Sequence, residues 1–166
     1  MKILTIAIPS YNSMDYMRNC IESLLPGGED VEILIVDDGS KDDTPAIADE
    51  YQEKYPGIVR AIHQENGGHG EAVNAGLRNA TGFFYKVVDS DDWVDAESYQ
   101  KILAFLKEAM KEEEPLDMLL SNYVYEKVGA KHKKVIQYHS ILPENRYFGW
   151  DEIGHFHASQ NILMHS

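Results

Sequence analysis

Phe83-Phe84-Tyr85-Lys86-Val87-Val88-Asp89-Ser90-Asp91-Asp92-Trp93 is the stretch that decides how the rest of the chain is read. Its opening run, aromatic and β-branched apart from Lys86, predicts a buried strand. Carboxylates at Asp89, Asp91 and Asp92 follow at once, and charges that dense cannot stay in a core, so the strand has to end where they begin. Asp89 and Asp91 stand two apart across the small Ser90. At the end of a strand, that spacing aims both carboxylates into one cleft, which suits a hard divalent cation that keeps other positions for phosphate oxygens. The competing explanation is a strand-to-helix turn whose Asp residues cap the next helix. Asp95 is better placed for that cap, which leaves Asp89 and Asp91 without a structural task. Lys86 is out of place in an apolar strand and either snorkels or pairs with a cleft carboxylate.

Upstream, Ile3 to Ile8 is an unbroken apolar run, as expected of a strand covered on both faces, and Pro9-Ser10-Tyr11-Asn12 ends it. The next helix carries Met17, Cys20, Ile21, Leu24 and Leu25 and stops at Pro26-Gly27-Gly28. Val31 to Val36 repeats the strand pattern and is cut by Asp37-Asp38-Gly39-Ser40. Thr44 is the expected cap of a second helix, with Pro45 at its first position, where the missing N–H costs nothing. Ile47, Ala48, Tyr51 and Tyr55 form its inner face. Ile58 to His63 is a short third strand, followed by Asn66-Gly67-Gly68-His69-Gly70 and a helix to about Asn79. Beyond the acidic run, Tyr99, Ile102, Leu103, Leu106 and Met110 mark a long helix, closed by a Lys/Glu run and Pro115.

This alternation predicts an α/β fold, a mostly parallel sheet with helices on both faces. Ligands of such sheets bind beyond the carboxyl ends of the strands. The loops Pro9–Asn12, Asp37–Ser40, Glu65–Gly70 and Asp89–Asp92 each follow a strand, so all should converge on one edge. After Pro115 the pattern weakens. Met118 to Val124 reads as a strand, Tyr123–Val128 and Lys133–His139 pair as a hairpin across Gly129, and Ile153 to Ser166 has no clear period.

The chain has 166 residues, enough for one domain with a proper core. A net charge of −13 argues against nucleic acid or an anionic membrane as partner, since both attract Lys and Arg clusters. A phosphorylated ligand is still compatible if a metal bridges the two. Cys20, the single cysteine, cannot form an internal disulfide and falls in an apolar series, so it is expected in the core. No signal peptide and no apolar run long enough to span a bilayer is found, which makes the cytoplasm the expected compartment.

The remaining motifs each have a plain explanation beside a functional one. Asp37-Asp38-Gly39-Ser40 is turn chemistry, or a carboxylate placed to accept from a base N–H or a hydroxyl. Asn66-Gly67-Gly68-His69-Gly70 is a flexible loop, or a glycine-rich helix opening that receives an anion. It is neither a Walker loop nor a G-x-G-x-x-G fingerprint. His155 and His157 have the spacing of one strand face, and no third metal ligand accompanies them.

Together, Thr5-Ile6-Ala7-Ile8-Pro9-Ser10-Tyr11-Asn12, Val36-Asp37-Asp38-Gly39-Ser40, Asn66-Gly67-Gly68 and Val88-Asp89-Ser90-Asp91-Asp92-Trp93 resemble the family 2 glycosyltransferases, in the family's order and spacing. The resemblance covers residues 3–113. It implies a GT-A (Rossmann-like) fold, a nucleotide-diphospho-sugar donor, often UDP-linked, Mn²⁺ or Mg²⁺, and inversion at the anomeric carbon. Carried over residue by residue, Pro9 and Tyr11 line the nucleotide pocket, Asp38 hydrogen-bonds the base and Asp37 supports it. Asn66 and Gly67 lie along the nucleotide, with Ser90 beside them. Asp89 faces the ribose and the metal, and Asp91 is the direct metal ligand.

One departure matters. The family's catalytic base is an Asp in an acidic motif well past the D-x-D, and no late acid here stands in such a motif; Asp151 and Glu152 are the weak candidates. Residues 1–113 are therefore expected to form the donor-binding subdomain and 114–166 the start of an acceptor-side subdomain, with the base beyond Ser166. Those later residues are also where attachment to the inner face of a membrane would reside, and the acceptor is expected to be a glycan or lipid-linked sugar of polysaccharide or cell-surface synthesis. Two rivals stand beside this: a nucleotide-sugar-binding fragment without catalysis, and a sugar nucleotidyltransferase. The second would need a glycine-rich, Arg/Lys-containing signature after the first strand, and Pro9-Ser10-Tyr11-Asn12 lacks one.

Overall fold

The computed structural model describes residues 1–114, 116–126, 133–138 and 142–152. They form two compact units divided between Pro115 and Leu116. The first unit is built on four parallel strands, β1 (Leu4–Ser10), β2 (Val31–Asp38), β3 (Val59–Gln64) and β4 (Phe84–Val87), in the spatial order β3-β2-β1-β4. β1 and β2 lie in the middle and are buried at every position, which is why their sequences are continuous apolar runs rather than alternating ones.

Helices cover both faces. α1 (Met17–Leu24), α2 (Thr44–Lys54) and α4 (Ala96–Ala109) share one of them. α1 and α2 are joined there by Arg18–Glu50 and by the Tyr51 hydroxyl on Glu22, and α4 reaches α1 through the Tyr99 hydroxyl on the Leu24 carbonyl. α3 (His69–Asn79) covers the opposite face, where Ala72 and Ala75 pack on Val36 and Ile62. Its approach is so close that a Cβ on Gly76 would stand 2.6 Å from Ala7 Cβ and 2.8 Å from the Tyr85 hydroxyl. The chain steps from β1 to β2 to β3 in one direction and then returns to place β4 on the other side of β1. That reversal puts the topological switch point, where such sheets open a ligand crevice, between β1 and β4.

β1 runs two residues past the expected end, through Pro9 and Ser10. Proline is tolerated because successive residues of a parallel strand bond alternately to the two neighbours. Ala7 bonds toward β4, taking the Val88 N–H on its carbonyl, and the β1–β4 pairing stops at Ala7↔Val87. Pro9 faces the same side, beyond the end of that ladder, so its missing N–H has no partner to lose. β2 likewise continues through Asp37 and Asp38, which pair with His63 and Gln64. Thr44 does not cap α2: Asp43 is the N-cap residue, Asp42 Oδ1 takes the Thr44 N–H, and the buried Thr44 hydroxyl accepts from the Ser13 N–H at 2.7 Å. Asp95 caps α4 as expected, accepting from the Ser98 N–H at 2.9 Å.

In the second unit, β5 (Tyr123–Tyr125) and β6 (Lys134–Ile136) pair antiparallel with Val124 opposite Val135. The hairpin pairing is as expected, but residues 116–122 are irregular rather than strand. Gly129, His155 and His157 lie outside the described residues. Among the described residues no helix is long and apolar enough to cross a membrane.

Candidate functional site

The loops that follow β1 to β4 meet along the C-terminal edge of the sheet, and hydrogen bonds tie each to the next. Asn12, in the left-handed region at φ 50, donates its N–H to Ser40 Oγ at 3.0 Å and accepts from the Lys41 N–H on its side-chain oxygen at 2.8 Å. Ser13 Oγ accepts from the Tyr11 N–H and lies 2.8 Å from Ser90 Oγ, joining the β1 loop to the D-x-D loop. Gly39 at φ 69 brings the β2 loop so close to the next one that a Cβ there would stand 2.8 Å from the Asn66 N.

Asp37 and Asp38 are 4% and 2% exposed, yet they serve opposite faces of the sheet. Period-two geometry sends them there. Asp38 turns toward α3. One of its oxygens accepts from Gln64 Nε2 at 2.7 Å and the Gly67 N–H at 2.8 Å, and the other from the Gly68 N–H at 2.8 Å. Asn66 Nδ2 donates to the Asp38 carbonyl at 2.9 Å. Burial, the largest single influence, raises the Asp38 pKa, but the bonds from Gly67, Gln64 and Gly68 together outweigh it and hold the carboxyl below its ordinary value. Asp37 turns toward α2, where Oδ1 accepts from the Ser40 N–H at 3.0 Å and Oδ2 lies 3.0 Å from His63 Nδ1.

Asp89, Asp91 and Asp92 are exposed at the end of β4. The Asp92 N–H bonds the Asp89 carbonyl at 2.9 Å, so Asp89 to Asp92 form a tight turn rather than an extension of the strand. Beneath it, the buried Cys20 thiol donates to the Asp89 carbonyl at 3.6 Å. Burial and the neighbouring acids push that thiol up to about 12, so Cys20 is a core residue, as expected. His69 Nε2, at the start of α3, is 3.8 Å from Asp89 Oδ1. Lys86 is partly buried, and burial lowers its pKa more than the charges of Asp89 and Asp92 raise it.

The donor chemistry fits a hard cation. Asp89 and Asp91 offer oxygens on an exposed turn, and Mg²⁺ or Mn²⁺ is commonly held by one or two carboxylates together with substrate phosphates. Tyr11, on the β1 loop, is 49% exposed. Sequence reasoning missed Ser13, Thr44, His63 and Gln64, which position the loops. The available signal was the polar pair His63-Gln64 at the end of one strand, matching Asp37-Asp38 at the end of its neighbour. Asp151 and Glu152 lie in the second unit, in a single 3₁₀ turn (Trp150–Glu152), and Glu152 pairs with Arg146 at 2.7 Å.

Comparisons with known proteins bear on the family and the fold. The putative glycosyltransferase EpsH of Bacillus subtilis is 36% identical over 124 residues, which is 74% of this chain and 34% of that protein. The uncharacterized glycosyltransferase YibD of Escherichia coli is 41% identical over 106 residues, 63% of this chain and 30% of that one. Among solved structures, S. aureus TarS 1-349 in complex with UDP-GlcNAc superposes with a TM-score of 0.57 at 34% identity, covering 66% of this chain and 32% of that one. The chain thus spans about a third of the length of these relatives. The family model for glycosyl transferase family 2 matches residues 5–163. This chain belongs to glycosyltransferase family 2 and has its GT-A fold.

Proposed function

We propose that residues 1–113 bind a nucleotide-diphospho-sugar, with UDP as the nucleotide, for transfer of the sugar to an acceptor hydroxyl with inversion. The carrying observation is the convergence of the four post-strand loops, tied by Asn12–Ser40, Asp38–Gly67/Gly68 and Ser13–Ser90, on the edge where a parallel sheet receives nucleotides. The UDP-GlcNAc held by TarS, a relative at 34% identity, supports the choice of nucleotide. Pro9 and Tyr11 wall the base and Asp38 faces it, with Asp37 behind; Asn66 and Gly67 run along the nucleotide. Asp89, Ser90 and Asp91 take the diphosphate end, and Asp89 and Asp91 hold Mn²⁺ or Mg²⁺. A bound divalent cation supplies charge neutralisation for the departing nucleoside diphosphate.

The base that deprotonates the acceptor is proposed to be a residue other than Glu152. Arg146, hydrogen-bonded to Glu152, holds that carboxyl below its ordinary value, the wrong direction for a proton acceptor near neutrality. The sugar is proposed to be destined for a polysaccharide or cell-surface glycan.

The test is calorimetry of UDP with Mn²⁺, and with Mn²⁺ removed by EDTA, on the chain and on Asp91→Ala and Asp92→Ala. Metal-dependent binding that Asp91→Ala abolishes and Asp92→Ala only weakens is the expected result. Equal affinity with and without metal would overturn the metal bridge, and a larger loss at Asp92 would overturn the assignment of the cation to Asp91.

A further inference from the structure

His63, at the end of β3, presents both ring nitrogens to carboxylates: Nδ1 is 3.0 Å from Asp37 Oδ2 and Nε2 is 3.2 Å from Asp49 Oδ1 on α2. A neutral imidazole carries one N–H and one lone pair, so one of these contacts would set a lone pair against a carboxylate oxygen. Only the imidazolium donates to both. The partners are unequal, since Asp37 is 5% exposed at its side chain and Asp49 is 61% exposed, so solvent screens the outer pair far more. Asp37 passes the restraint on. Its second oxygen receives the Ser40 N–H, and the Ser40 hydroxyl receives the Asn12 N–H. A continuous run of contacts thus leads from α2 through His63 to the β1 loop that carries Tyr11.

We propose that His63 is a positioning residue of the nucleotide site: as an imidazolium it fixes Asp37 and, through Ser40 and Asn12, the wall formed by Tyr11, so that nucleotide binding depends on His63 being protonated. The inference rests on the nucleotide-sugar reading of the site. The charged groups facing the ring are Asp37 from β2 and Asp49 from α2. On its own strand Arg60 and Gln64 turn to the other face, toward Glu32 and Asp38. The hydrogen bond with Asp37 raises the His63 pKa, burial opposes it, and Asp49 adds to the rise. The sign follows. The clamp is complete below the ordinary histidine value, about 6.5, and one of its two donations is lost as the pH rises through the higher folded value.

The test measures UDP dissociation constants from pH 6 to 9 at fixed Mn²⁺, for the wild-type chain, His63→Gln and Asp49→Asn. His63→Gln carries no charge at any pH, and metal and phosphate titrations affect all three proteins alike. The expected ratio of variant to wild-type Kd is roughly five- to tenfold at pH 6, the low end for coupled sites, and falls toward one by pH 9. Asp49→Asn, an exposed change that leaves the fold intact, shifts the wild-type fall in affinity to lower pH. A ratio that stays constant across the range overturns the inference, because a merely structural histidine would give that result. If His63→Gln does not fold, an unshifted profile for Asp49→Asn overturns it instead. UDP that binds no wild-type protein at any pH refutes the nucleotide reading itself, whereas binding with a flat ratio refutes only the role of His63.

Discussion

Replacing Asp38 with Asn tests whether this carboxylate latches the Asn66–Gly68 loop to the sheet. The change is isosteric, so the effect is confined to charge and hydrogen bonding. One oxygen survives and keeps the donors Gln64 Nε2 and Gly67 N–H, but as a neutral acceptor. The other becomes an NH₂ that faces the Gly68 N–H, donor against donor. Bonds to a charged group contribute about 1.5–3 kcal/mol each and neutral ones about 0.5–1.5, so one bond is lost and two are weakened. Gly68 is exposed, and water can take up its N–H once the loop moves. A net loss of about 2–3 kcal/mol is the expected outcome, or about 5–10 °C in Tm for a chain of this size. Urea denaturation gives the free energy, and amide exchange at Gly67 and Gly68 reports whether the latch opened. The folded pKa of Asp38 is depressed, so its contribution is present above the unfolded value of about 3.9 and is lost as pH falls through the folded one. Stability of Asp38→Asn should therefore vary less with acid than that of the wild type. A loss under about 0.5 kcal/mol with unchanged exchange at both glycines would refute the latch.

Three further outcomes are expected. Gly76→Ala places a Cβ 2.6 Å from Ala7 Cβ, backbone-fixed on both sides, and overpacking of this kind costs about 1–3 kcal/mol, read as a lowered Tm. Cys20, with its thiol pushed up to about 12, should resist a thiol reagent in the native state at pH 8 and react at once in urea; rapid native labelling would contradict its place under the Asp89 turn. If neither Asp151 nor Glu152 serves as the acceptor base, the 166-residue chain should release UDP from a donor no faster with a sugar acceptor than without, since lack of a base removes about 10²–10⁴-fold of rate. Acceptor-stimulated release would point to Asp151 or Glu152 as the base.

The sheet was legible because its central strands are covered on both faces, and continuous burial leaves an unmistakable apolar run in Ile3–Ile8 and Val31–Val36. Their ends were not legible, for two different reasons. Pro9 reads as a breaker in any linear scan, and only the register with β4 reveals that its absent N–H points past the end of a ladder. Asp37 and Asp38 read as the charge that stops a strand, because the residues that make their burial tolerable come from β3 and the α3 loop, more than twenty positions away. Thr44 failed in the same manner. A hydroxyl just before Pro45 has the local chemistry of a cap, but a tertiary donor, the Ser13 N–H, claims it. The residues of unusual local chemistry at the candidate site, such as the D-x-D acids and the glycine loop, stood out in the sequence; those that act through partners distant in sequence did not.

The division of Asp37 and Asp38 between the two faces has a mechanical consequence for the site. A single strand end, two residues long, is bonded on one side to His63 and through it to α2, and on the other to Gly67 and Gly68 at the opening of α3. A shift of the opening of α3 along the sheet would pull the buried Asp38 off its donors, and an unpaired buried charge is among the costliest states a fold can hold; a shift of α2 would take the outer partner Asp49 from His63. The pocket edge is therefore held from both layers at once, although the loops that form it are short and exposed. Ser13 completes the frame from β1, since its backbone is fixed by Thr44 in α2 while its hydroxyl meets Ser90 in the acidic turn. Groups held in this way need little further ordering when a ligand arrives, which lowers the cost of binding.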